Sequence, residues 1–249
     1  VTPGAVNDWA VLASVWCDGD IVNESDSAQR VISISSGRQS RIAGTVSGKI
    51  RFWNYGSVDY TATTSTFNGD MTAEGWDLTE TSKGGVIGAR TFGTLDGEAS
   101  SLGASGNVLV YSDGGYRYLG TEPERTDKRL YTYGLHAFLD GGANGGLEWA
   151  GQIYNTTDRA ATRGQHQMVF TGSGTALPNV FSGKVGSQVQ TDTTPTADYS
   201  FYTIKRGAGT WRFTGAKNYE RVGLNGGVAV EEGTLQFDTL LEAGRDCSL

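Results

Sequence analysis

Residues 205–219 read KRGAGTWRFTGAKNY, and residues 224–235 continue LNGGVAVEEGTL. An apolar–polar alternation, a glycine-containing turn and a second alternation follow one another within thirty-odd residues. Alternation of period two hides one face of a strand and shows the other. The stretch from Gly48 has the same design: GKIRFWNYGSVDY, then FNGDMTAEGWDL from Phe67. In both, Gly-x-(apolar)-Arg-Phe leads into a polar turn, a (Phe/Leu)-Asn-Gly element and a Gly-x-(x)-Leu strand. Residues 46–78 thus resemble residues 207–237 at a separation of about 160 residues. Self-similarity of this kind favours stacked units over a closed sandwich.

Working outward, further short alternations occur at Val31–Ile34, Val108–Tyr111, Leu130–Tyr133, Trp211–Phe213 and Val228–Val230. Turn signals punctuate them: Gly84-Gly85, Asp113-Gly114-Gly115, Asp140-Gly141-Gly142, Asn144-Gly145-Gly146 and Asn225-Gly226-Gly227. Helical periodicity is nearly absent. The expectation is an all-β chain, a right-handed parallel β-helix or solenoid forming one elongated domain over residues 1–249.

The 249 residues include 37 Gly but only 4 Pro, which argues against collagen and Pro-rich linkers. Six Trp, eleven Tyr and nine Phe supply enough apolar surface for a core. The formal net charge is −7, and no basic stripe is visible, so a nucleic-acid partner is not expected. The densest charge run, Glu122–Arg129 (EPERTDKR), mixes both signs and reads as a solvated turn. No stretch approaches the roughly 20 apolar residues of a membrane-spanning helix. The chain starts at Val1 without Met or a signal pattern, and is read as mature or excised from something longer.

The segment Gly207–Phe237 resembles the autotransporter passenger-associated β-strand repeat. That family begins with Lys-x-Gly-x-Gly-Thr-(Leu/Trp)-x-(Leu/Phe)-(Ser/Thr)-Gly-x-x-x-Tyr and finishes with Gly-(Thr)-Leu. Here Lys205, Gly207, Gly209, Thr210, Trp211, Phe213, Thr214, Gly215 and Tyr219 match the start, and Gly233-Thr234-Leu235 the finish. Glu220-Arg221-Val222 departs from the small, Thr- and Gly-rich turn of the family. Fainter echoes run through Leu102–Gly120, Leu147–Gly151 and Phe181–Val185. The resemblance implies a structural or adhesive segment of a large exported bacterial surface protein, with an extracellular location. It implies a scaffold without catalytic residues or cofactors; the expected partners are a glycan or host surface and, end to end, another copy.

His136, in an alternating strand, is expected to face solvent, and His166 to lie in a turn; no Gly-x-Ser-x-Gly elbow supports a nucleophilic triad. Tyr116-Arg117-Tyr118 could supply a basic and aromatic cluster to a polysaccharide lyase or glycosidase, the alternative reading, but is read first as a strand with outward tyrosines. Asp18, Asp20, Glu24 and Asp26 form an acidic turn without the EF-hand spacing, so no metal site is assigned. Trp149 and Trp211 read as core. Trp53 and Tyr55 could form an exposed strip able to stack on sugars, the basis of a carbohydrate-binding alternative, although isolated surface aromatics are ordinary.

Cys17 and Cys247 lie near opposite ends. A linear solenoid with roughly 20 to 25 residues per coil has about ten coils, about 4.8 Å apart. A disulfide requires Cα atoms within about 7 Å, so the two cannot bridge within one straight chain. Either they are unpaired and separately buried, or they link successive subunits end to end.

Overall fold

The computed structural model describes residues 9–34, 39–75, 85–104, 107–111, 113–133, 136–155, 166–183, 185–187, 201–214 and 228–238. These residues form twenty-four strands and no helix. Numbered in chain order, sheet A runs β1 (Trp9–Ala13), β4 (Gln29–Ile34), β7 (Ile50–Tyr55), β9 (Met71–Glu74), β11 (Val108–Tyr111), β14 (Leu130–Thr132), β17 (Ile153–Asn155), β20 (Val185–Ser187). Sheet B runs β2 (Trp16–Cys17), β5 (Ser40–Ile42), β8 (Val58–Tyr60), β10 (Gly85–Ala89), β12 (Gly114–Tyr118), β15 (His136–Asp140), β18 (His166–Thr171), β21 (Phe201–Lys205), β23 (Val228–Val230). Sheet C runs β13 (Glu124–Thr126), β16 (Leu147–Trp149), β19 (Asn179–Phe181), β22 (Thr210–Phe213), β24 (Thr234–Phe237), and β3 (Ile21–Asn23) pairs with β6 (Val46–Gly48).

All pairings among these strands are parallel. In the first and later parts of the chain, successive strands visit sheet A, then B, then a third sheet, and return to A. Mid-chain, where no third strand forms, irregular backbone takes its place. Thr66 and Phe67 N–H donate to Val46 O, Ser100 N–H to Ser65 O, and Ala104 N–H to Phe67 O. The spacing between partners is uneven, Ser40 pairing with Val58 but Met71 with Val108, so the even 20-to-25-residue spacing expected from sequence does not hold. The two related sequence stretches occupy different sheets: Ile50–Tyr55 lies in sheet A, and Thr210–Phe213 in sheet C.

Alternation decides the core. From β7 to β18, one set of alternate residues is buried in a single cluster including Phe52, Tyr60, Val108, Tyr116, Leu139, Trp149 and Phe170. Each fully buried large apolar side chain contributes about 1.5–3 kcal/mol. Phe170 meets Trp211 and Phe213 edge-on at 5.0 and 4.8 Å, the arrangement that ring quadrupoles favour. Trp149 and Trp211 are fully buried, as their strand positions suggest.

Two readings of the sequence are corrected here. The charge run Glu122–Arg129 is not a solvated turn: it contains β13, and Lys128 has no accessible surface. Its side chains replace missing strand pairing. Glu124 Oε1 accepts from Phe92 and Gly93 N–H at 2.7 and 3.0 Å, Asp127 Oδ1 from Leu95 N–H at 2.8 Å, and Thr126 Oγ1–H donates to Gly93 O at 2.6 Å. Burial pushes the Glu124 carboxyl up, against the lowering effect of those two N–H groups. Second, Gly85, Gly114 and Gly115 begin strands rather than mark turns. They are small because neighbours crowd them: a Cβ on Gly115 would lie 2.4 Å from Phe138 O.

Candidate functional site

The outward faces of the three main sheets differ in chemistry, and that of sheet B is partly covered, with Val86, Phe138, Val169 and Ile204 in a second buried cluster. On sheet B, register aligns Arg41, Asp59, Gly88, Arg117, Asp140 and Thr171 in one column. Arg117 Nε donates to Asp140 Oδ2 at 2.7 Å, and Asp140 Oδ1 accepts from Gly142 N–H at 2.8 Å. Asp59 leans over Gly88. Burial raises its carboxyl, opposed by a hydrogen bond from Gln39 and by the charges of Arg117 and Arg41. Gly88 is the gap that admits this carboxylate, since a Cβ there would sit 2.1 Å from Asp59 Oδ1 and 2.8 Å from Leu119 Cδ1. Both neighbours are side-chain ends that can yield, so Gly88→Ala is expected to cost about 1 kcal/mol in urea denaturation. Combining it with Asp59→Ala should remove most of that cost; strictly additive losses would contradict this account of the gap.

On sheet C, Arg125 Nε donates to Glu148 Oε1 at 3.3 Å and Arg212 Nε to Asp238 Oδ1 at 2.7 Å. Sheet A instead carries aromatics. One outward column aligns Val11, Ile32, Trp53, Thr72, Leu109, Tyr131 and Tyr154, of which Ile32, Thr72 and Tyr131 are buried; the next aligns Ile34, Tyr55, Glu74 and Tyr111. Tyr111 and Tyr133 stack at 4.4 Å and 8°, and Tyr131 and Tyr154 at 4.8 Å and 11°. Trp53 lies 5.0 Å from Tyr111, donates Nε1–H to Glu74, and has the Arg30 guanidinium 5.5 Å from its centroid. The stacking spacing matches the distance between adjacent strands, so the rings turn their faces to one another. Trp53 and Tyr55 therefore belong to a ladder that ties neighbouring strands, with ring faces engaged from within the protein.

The turns between sheets B and C carry the residues of the repeat motif. Gly207 and Gly233 have φ of +70° and +73°, which glycine adopts without strain. They stack so closely that a Cβ on Gly233 would lie 2.3 Å from Gly207 O and 2.6 Å from Gly209 O. Trp211 Nε1–H donates to Thr171 O at 2.7 Å, Phe213 is buried, Leu235 pairs with Trp211, and Thr210 with Thr234. Gly215 and Tyr219 lie outside the described residues. Lys205, fully buried, donates from Nζ to Arg206 O at 2.6 Å, Glu232 O at 3.2 Å and Gly207 O. An ammonium has three donors, and three turn carbonyls take them. Burial lowers the Lys205 pKa, with Glu232 acting the other way.

Beside these turns is a cleft of about 460 Å3 lined by residues including Arg117, Asp140, Asn144, Thr171, Ser173 and Gly207. The other candidates are dispersed. Tyr116 and Tyr118 point inward, correcting the outward reading, because their positions in β12 fall on the buried side; only Arg117 is on the exposed side. The Tyr116 hydroxyl donates to Met71 O at 2.6 Å, and burial pushes its pKa well up. His136 does not stand free in solvent but is half-buried, with Nδ1 2.6 Å from Asp113 Oδ1. His166 begins β18 rather than lying in a turn. Asp20 Oδ1 accepts from Thr45 N–H at 2.8 Å, and hydrogen bonds from the Thr45 side chain first and then from that N–H lower its pKa. Cys17 is half-buried in β2, its thiol donating to Gly19 O at 3.2 Å, and Cys247 lies outside the described residues. No protein-family model, curated protein or solved structure matches this chain.

Proposed function

We propose that the chain is a right-handed parallel β-solenoid segment acting as a structural or adhesive element of an exported bacterial surface protein. The observation that carries this reading is the order of strands: parallel sheets are revisited in turn, A then B throughout, with a third sheet in the first and later circuits. Parallel crossovers are right-handed in about 98% of cases, which supplies the hand. Paired charges on the outward sides of two sheets and a self-stacked aromatic ladder on the third suit a surface built for continuity along one axis. The resemblance of Lys205–Leu235 to the autotransporter passenger repeat supports the exported, extracellular setting.

The test separates scaffold from enzyme and asks for adhesion. The chain, coated on beads, is applied to cultured host cells and a glycan array, and is incubated in parallel with acidic and neutral polysaccharides. Bead retention without new reducing ends or unsaturated uronate is the expected result. Sustained polysaccharide cleavage would overturn it. A second reading, a carbohydrate-binding module, draws on the cleft at Arg117 and Asn144, where hydroxyl, amide and guanidinium groups gather. Array binding lost in Asn144→Ala but kept in a Trp53→Ala variant would favour it.

A further inference from the structure

We infer that the outward tyrosines of sheet A form an oxidative cross-linking site, at which a one-electron oxidant joins Tyr111 to Tyr133 and Tyr131 to Tyr154 as dityrosine. Geometry sets the pairs. The rings of Tyr111 and Tyr133 lie 4.4 Å apart at 8°, and those of Tyr131 and Tyr154 4.8 Å apart at 11°. Core rings meet differently: Phe170 and Trp211 cross at 66°, Phe92 and Trp149 at 80°. Tyr131 and Tyr154 are direct register partners in the parallel pair β14–β17. Tyr133 directly follows β14, and its N–H donates to Val110 O, which carries the β11–β14 register on to Tyr111 and Tyr133. In parallel register both side chains of a pair leave their strands in the same direction. Like edges of the two rings therefore lie side by side, with ortho carbon beside ortho carbon.

Phenoxyl coupling needs this arrangement. Loss of one electron and the hydroxyl proton from each ring leaves two phenoxyl radicals with spin on the ortho carbons. Those carbons form a C–C bond, and the two ortho hydrogens move to the oxygens, restoring both phenols. Each link removes two electrons and two protons overall. The haem of a peroxidase supplied with hydrogen peroxide takes them up, and the peroxide ends as two waters. Holding both rings at stacking distance replaces a diffusional encounter between radicals. Tyr111, Tyr133 and Tyr154 are half-buried and Tyr131 is buried, so oxidant reaches three of the four rings directly and Tyr131 through Tyr154.

The two links share one strand. Tyr133 ties the β14 segment back to β11, and Tyr131 ties it forward to β17. Three neighbouring strands of sheet A thereby become covalently continuous. Closing these loops also restricts the unfolded chain, so the oxidised protein gains stability by the route that a disulfide uses.

The full chain, dilute, is oxidised with light-activated tris(bipyridyl)ruthenium and persulfate, which takes two electrons per link and ends as two sulfates. The monomer is isolated under reducing conditions, so that links through cysteine do not count. After digestion it is read by dityrosine fluorescence and by mass spectrometry for joined peptides lighter by two hydrogens than their sum. Peptides joining Tyr111 to Tyr133 and Tyr131 to Tyr154 are expected as the main products. Tyr111→Phe is expected to abolish the first link and keep the second, and Tyr131→Phe the reverse. Phe keeps the stacked ring, and circular dichroism verifies that each variant keeps its sheet content. Oxidised wild type is expected to unfold at higher urea than the untreated chain, while oxidation leaves the midpoint of the double variant unchanged. Three results would each overturn the inference: links spread evenly over other tyrosine pairs, links between molecules alone, or the same two links in equal yield from the urea-unfolded chain. Absence of dityrosine from the folded monomer, at a light dose that couples the unfolded chain, would overturn it as well.

Discussion

Replacing Lys205 with Met is expected to lower the stability of the chain by about 3 kcal/mol in urea denaturation. Met keeps the apolar stem of the side chain but removes the three donors. Arg206 O, Gly207 O and Glu232 O then lose their shared partner inside a turn stack too tight for a Cβ on Gly233. Hydrogen bonds to a charged group contribute about 1.5–3 kcal/mol each, and part of the loss is recovered by water entering at the edge of the stack. The same ammonium links the turn after β21 to the turn after β23, so the damage should concentrate at that end. Hydrogen exchange is expected to accelerate in β23 and β24 and to remain slow in β7 and β9. A change under 1 kcal/mol, or loss spread evenly over the molecule, would contradict this role.

The second buried lysine is expected to behave in the opposite way. Lys128 has no accessible surface, and among the described residues its Nζ reaches Gly103 O alone, at 3.4 Å. Desolvation lowers its pKa from an ordinary 10.5 to about 8, with Asp127 acting weakly against it. In the unfolded chain the side chain keeps its proton up to the ordinary value; in the folded chain it releases it from about pH 8. Between those values the unfolded state binds more protons, so stability rises with pH across the window. Below about pH 8 the full penalty of a buried ammonium is present, up to about 3 kcal/mol at 1.36 kcal/mol per pH unit. Lys128→Met is therefore expected to stabilise the chain at pH 7 and to abolish this part of the rise between pH 8 and 10.5. The measurement is the difference between wild-type and variant urea curves at several pH values, which cancels other titrating groups. A variant less stable at pH 7, with a parallel pH profile, would mean that Lys128 holds a structural partner.

Local alternation made much of the architecture legible. The runs at Val31–Ile34, Val108–Tyr111, Trp211–Phe213 and Val228–Val230 fall in β4, β11, β22 and β23, and Gly142, Gly145 and Gly146 take the positive φ that their turn signals imply. Period two follows from the pleat and needs no knowledge of neighbours. Features that depend on the neighbouring strand were harder to see. Arg117 and Asp140 are 23 positions apart in sequence, and only register brings them together. The tyrosine ladder of sheet A is likewise invisible until Tyr131 is placed beside Tyr154. Gly85, Gly114 and Gly115 carry the composition of turns but answer to crowding by other strands.

The charge run Glu122–Arg129 misled for a related reason. Charges in sequence usually mark solvent, yet here Glu124, Thr126 and Asp127 hydrogen-bond the irregular backbone at residues 92–95 that stands where a strand would. The Lys at the head of the repeat motif, Lys205, was part of the pattern, but nothing in the pattern tells that its ammonium closes on turn carbonyls. For the candidate site, the motif residues Gly207, Gly209, Trp211 and Gly233 do gather at one set of turns. They gather for packing.

The central claim is that the strands are successive circuits of one solenoid, each held mainly by its neighbours. Pulling a single molecule from positions near Trp9 and Asp238 in an optical trap tests it most directly. Nearest-neighbour stacking gives a series of small extensions, each releasing one or a few circuits at about 3.5 Å per residue, beginning at an end. Lys205→Met should make the steps at the β23–β24 end occur at lower force. One cooperative rip releasing the whole chain, with no shorter steps at any loading rate, would contradict the account.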